Sequence, residues 1–77
     1  MSLFEAPENI ELKVLEFILG IDSKRKLLSI GIRPDDFLVK LPSPKIGAIL
    51  VKNVTTGSTR LAVGRGIARM IEVENAV

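Results

Sequence analysis

Five residue types are missing from these 77 residues: cysteine, histidine, tryptophan, tyrosine and glutamine. Without cysteine there can be no disulfide framework, no thiolate nucleophile and no zinc–thiolate site. Without histidine the chain lacks the side chain that most often moves protons near neutral pH and most often ligates transition metals. An enzyme is therefore the least favoured class. Long apolar runs are missing too. The longest block, Ile46 to Val51, suits a strand, whereas crossing a bilayer takes about 20 residues. The first eight residues, MSLFEAPE, carry acids where a signal peptide needs a basic region. The expectation is a soluble, cytoplasmic protein that meets a membrane only peripherally.

An excess of one charge is also lacking: 11 basic against 9 acidic residues leave a net charge of +2. A nucleic-acid binder normally has a clear, clustered basic surplus, so nucleic acid is not expected as a partner. Only three aromatics occur, Phe4, Phe17 and Phe37, all in apolar contexts that read as core. A platform for stacking bases needs exposed rings.

What the chain does have is hydrophobicity, at 47% of its residues. A chain this short buries only about 60% of the surface its unfolded form exposes. Some apolar area must therefore stay near the surface, which suits an interaction face or a homo-oligomer as well as ordinary scattered surface Leu and Val.

The chain reads as one domain over 1–77, without repeats, linkers or low-complexity segments. The first nine residues form an arm that packs Leu3 and Phe4 onto the body. Leu12 to Leu19 is nearly apolar throughout and suits a central strand, buried on both faces. After Gly20, either Asp22 or Ser23 offers an N-cap for a helix over Ser23 to Ile30, with Leu27, Leu28 and Ile30 turned to the core. Gly31 sits where a left-handed C′ residue belongs, and Pro34 stops any continuation. Short strands follow: Phe37 to Leu41 with Phe37, Val39 and Leu41 on one face; Ile46 to Val54; a turn at Thr55–Gly57; and Ser58 to Val63. Gly64 to Arg69 reads as a helical turn, and Met70 to Glu74 as a last strand with Ile71 and Val73 inward. The fold class is thus mainly β: a small SH3-like barrel of about five strands, with one short α-helix between the first and second strands and a helical turn before the last. Curling such a sheet removes most exposed edges.

Three blocks in this order resemble the FeoA family: LFEAP followed by LKVLEF, the helix and turn KRKLLSIGIRPDD, and the close GSTRLAVGRGIARMIEV. Each block is moderately specific, and together they span nearly the whole chain. At Asp35 the sequence departs from the family's Gly after the turn proline. Gly adopts positive φ freely and Asp less readily. The resemblance implies an SH3-like barrel acting in the cytoplasm beside the ferrous-iron permease, docking on the cytosolic region of this FeoB-type membrane protein. The same barrel is similar to the carboxy-terminal domain of iron-dependent repressors, so the alternative is a transition-metal-binding or metal-sensing domain. A nucleic-acid-binding barrel comes third.

Candidate site residues follow from charge. Lys24, Arg25 and Lys26 fall in the expected first helical turn, where cations oppose the helix dipole; keeping them there suits an acidic partner surface as well as a merely solvated face. Arg65 and Arg69 are further candidates for a partner site. No cofactor is required. Asp35, Asp36, Glu72 and Glu74 are weak candidates for a divalent metal such as Fe2+, and with no imidazole available carboxylates at a turn more often cap or solvate. The run Gly64–Arg69 fails as a dinucleotide fingerprint, because Arg69 replaces the third glycine and no long helix follows.

Overall fold

Glu11–Phe17, strand β1, pairs antiparallel on both sides and so lies inside the sheet. These are the contacts in a computed structural model of the chain, which describes residues 1–18, 20–44 and 46–76, with residues 21–23 described by backbone alone. The remaining elements are α1 (Ile21–Ile30), β2 (Phe37–Lys40), β3 (Ile49–Asn53), β4 (Ser58–Val63), α2 (Arg65–Ala68) and β5 (Ile71–Asn75). The strands form one antiparallel sheet in the order β4-β3-β2-β1-β5. Leu12, Val14, Leu38, Ile49, Val51, Val63, Ile71 and Val73 come from all five strands yet belong to one buried cluster. A sheet whose strands all supply the same cluster must curl around it, and Leu27 of α1 and Leu3 of the arm fill the remaining space. The barrel expected from the sequence is the one observed.

The arm lies along the outer edge of β5. The Leu3 amide donates to Ile71 O at 2.9 Å, the Val73 amide to Met1 O at 2.8 Å, and Ser2 bridges to Glu72. Lys40 fastens it from below, its ammonium donating to Phe4 O at 2.8 Å and Ala6 O at 3.0 Å. One sheet edge is thereby covered, as unpaired strand edges in soluble proteins usually are.

Several local expectations need correction. β1 is not buried on both faces. Its register against β5 runs Val14↔Val73 and then Glu16↔Glu72, so Leu15 is an extra residue in a β-bulge and is exposed. Leu12, Val14 and Phe17 face inward; Leu19 lies outside the described residues. α1 starts at Ile21, not Ser23, because extended Gly20 is the N-cap. An N-cap glycine has no side chain to announce it, so Asp22 and Ser23 were the visible signals. Leu28 and Phe37, expected in the core, are 46% and 37% exposed. β3 begins at Ile49, three residues late: Gly47 has φ 102°, which no regular strand accommodates, and Ile46 is 89% exposed.

Candidate functional site

α1 carries the basic triplet. With the helix starting at Ile21, Lys24, Arg25 and Lys26 lie past the first turn rather than in it, where the helix dipole has largely faded. The electrostatic penalty expected from the sequence is therefore mostly absent. All three side chains are exposed, and none is ion-paired among the described residues. The C-terminus of α1 closes as its sequence implied: Gly31 is left-handed, and the Gly31 and Ile32 amides both donate to Leu27 O, at 3.0 and 3.1 Å.

The face that α1 turns away from the core is not wholly polar. Glu16 and Phe17 of β1, Lys24 and Leu28 of α1, and Pro34 of the following turn line a groove of about 240 Å³. Leu28 reaches it because Lys24 and Leu28 are four residues apart and share a helix face, while Leu27 is fully buried on the core side. Sequence reading missed this groove, since an apolar pair at 27 and 28 suggests two core contacts.

Arg65 and Arg69 lie elsewhere, around Phe4. The Arg69 guanidinium is 4.3 Å from the ring centroid and that of Arg65 is 6.0 Å away. At an exposed site such a contact is worth about 0.5–1 kcal/mol. Arg65 also donates to Gly47 O at 2.8 Å and Pro44 O at 3.0 Å, which ties the loop before β3 to α2. Arg69, Phe4, Ser2 and Glu5 line a second cavity. Lys24 and Arg69 thus border different cavities.

In that second cavity Ser2 and Glu5 cap one another. The Ser2 hydroxyl donates to Glu5 Oε1 at 2.9 Å, and the Glu5 amide donates back to the hydroxyl at 3.2 Å. The Ser2 hydroxyl and then the Ser2 amide hold the Glu5 carboxyl below its ordinary value of 4.5, opposed by desolvation and helped least by the terminal ammonium.

The four acidic candidates are dispersed. Asp35 is exposed at φ 73°, with its Oδ1 3.9 Å from Lys13 Nζ, so Asp does adopt the positive φ that glycine would take more freely. Asp36 is buried and its Oδ2 accepts from the Arg33 amide and from Asn53 Nδ2, both at 2.9 Å. Glu72 pairs with the terminal ammonium at 3.3 Å, and Glu74 is exposed on β5 opposite Lys13. Among the described residues, no group of three or more His, Cys, Asp or Glu side chains could hold a metal ion.

Asn53 is a polar residue whose structural part was not visible in the sequence. Fully buried, it donates to Asp36 and to Gly31 O at 2.8 Å, and its Oδ1 accepts from the Thr56 amide at 3.2 Å. One side chain thereby fixes the end of α1, the turn into β2 and the β3–β4 turn.

A curled five-stranded antiparallel sheet, with one helix after its first strand and a helical turn before its last, places the molecule among SH3-like barrels. The model of the FeoA domain matches residues 1–75, and the chain belongs to the FeoA family. Its fold is similar to that of an iron uptake regulatory protein (FeoA), at 27% identity and a TM-score of 0.82, covering 96% of this chain and 95% of the other. The FeoA protein of Chlorobium tepidum is 22% identical with a TM-score of 0.83, over 100% of this chain and 71% of that one. A zinc-complexed FeoA of Stenotrophomonas maltophilia, described as a prokaryotic SH3 domain protein, is 22% identical with a TM-score of 0.71, over 96% and 89%. No curated protein gives a significant match. Among the described residues, no helix is long and apolar enough to cross a membrane.

Proposed function

We propose that this protein is a small cytoplasmic accessory of ferrous iron uptake, working over residues 1–77 as a non-catalytic interaction module. Its partner is the cytosolic part of a FeoB-type permease, met by the basic face of α1 at Lys24, Arg25 and Lys26, with Arg69 and Arg65 as a second basic element. The observation that carries this reading is the family match over residues 1–75. The exposed triplet, without an ion pair among the described residues, supports the choice of surface, because long-range attraction between opposite charges speeds docking. A pull-down with the permease's soluble domain tests it. The wild-type chain is expected to be retained, and Lys24→Glu/Arg25→Glu/Lys26→Glu to be lost. Unchanged retention of the triple variant removes α1 from the interface.

A metal-binding reading has one observation in its favour, the zinc complex of the Stenotrophomonas relative. A ligand bound only by the folded form raises the melting temperature. An unchanged melting temperature during Fe2+ titration disposes of that alternative.

A further inference from the structure

The groove between β1, α1 and the turn at Pro34 is an apolar concavity that the core does not use. Phe17 is nearly buried within it, while Leu28 keeps almost half its surface in water. Its volume of about 240 Å³ lies below the roughly 300–1,000 Å³ of pockets that hold cofactors or drug-sized ligands. A space of that size suits one large side chain from a partner. Charge around it is uneven. On the helix wall stands Lys24, followed by exposed Arg25 and Lys26, and on the strand wall stands Glu16, the only acidic lining residue among the described residues. None of the four is ion-paired among the described residues.

The geometry points to this groove as the anchor site of an acidic protein segment, with one large apolar side chain of that segment seated among Phe17, Leu28 and Pro34. The segment's carboxylates lie over α1, where they meet Lys24 and Arg25, and Glu16 keeps them away from the β1 wall. This rests on the docking reading above and narrows it to one groove and one kind of occupant.

The probes are labelled eight-residue peptides. One has a central Phe flanked by Asp and Glu, one has Ala in place of that Phe, and one has Lys in place of the acids. Anisotropy with the full chain gives affinity, and amide shifts give location. The acidic Phe peptide is expected to bind and to move the amides of Glu16, Lys24 and Leu28. Replacing its Phe by Ala, or Leu28→Asp in the protein, weakens binding about tenfold or more. Lys24→Glu weakens it and Glu16→Lys strengthens it, opposite effects that shrink in high salt and that a purely structural role for these residues would not produce. Leu28→Ala replaces Leu28→Asp should the latter lower the melting temperature. Equal binding of the Ala or Lys peptides, shifts confined to other residues, indifference to Glu16→Lys, or a dimer that Leu28→Asp dissolves would each overturn the inference. If the permease's soluble domain binds wild type and Leu28→Asp alike, the groove fails and the docking reading stands. If the acidic Phe peptide occupies the groove but the permease domain is not retained, the docking reading fails and the groove stands.

Discussion

The two flanks of β1 handle hydrophobic residues in opposite ways. On the β5 flank the arm is closed down: Leu3 and Ala6 are buried, the backbone follows β5, and Lys40 grips two of its carbonyls. On the α1 flank, Leu28 stays partly in water beside a groove that it lines with Phe17 and Pro34. Apolar side chains on the first flank stabilise the fold, and those on the second are available for contact. Composition alone cannot separate the two uses. Backbone placement does.

The contrast breaks first, and most visibly, if Leu3 and Leu28 respond alike to truncation. Leu3→Ala is expected to cost about 3 kcal/mol in denaturant unfolding, and Leu28→Ala to stay within about 0.5 kcal/mol. Asn53→Ala comes next. It removes the donor to Gly31 O and leaves buried Asp36 with the Arg33 amide alone, for a loss of about 2 kcal/mol. Lys40→Met frees the arm alone, costing about 1 kcal/mol, with hydrogen exchange quickening at the Leu3 and Ala6 amides and not on β3. Asp35→Gly relieves a left-handed residue and is expected to add about 0.5 kcal/mol to thermal stability.

The smallest effect concerns pH. The folded-state value of Glu5 is depressed, so its contribution is complete above the ordinary carboxylate value and fades as pH falls through the lower, folded value. Ser2→Ala removes the main cause, and the acid limb of the stability profile below pH 4.5 should become shallower. An unchanged limb would mean that the reciprocal cap contributes nothing.

Much of this architecture was legible from residue order. β4 begins and ends where the sequence reading puts it, at Ser58 and Val63, and Gly31 closes α1 as its position implies. Ile71 and Val73 point inward. The misplaced side chains share a cause, which is that apolarity alone does not decide burial. Phe37 looked like the inward residue of β2, yet Asp36 is buried by its bond to Asn53, and Leu38, two residues on, therefore faces the core. A carboxylate that sets strand parity through a distant amide leaves no local trace. The groove stayed hidden for a related reason, because it needs Phe17, Leu28 and Pro34 brought together from three elements. The charged triplet, by contrast, could be read as a candidate at once, since consecutive charges need no fold to be adjacent.

The irregularity at Leu15 has a consequence for how the chain tolerates length changes. Removing a residue from an inner strand ordinarily turns everything beyond it to the wrong side of the sheet. Here Leu12 faces Asn75, Lys13 faces Glu74 and Val14 faces Val73, and the count then slips by one so that Glu16 faces Glu72 and Phe17 faces Ile71. Deleting Leu15 would let the two strands run in step from end to end, with the phenylalanine still pointing into the barrel. An inner strand of this protein can be shortened at one position, and only the chain's outward face is altered.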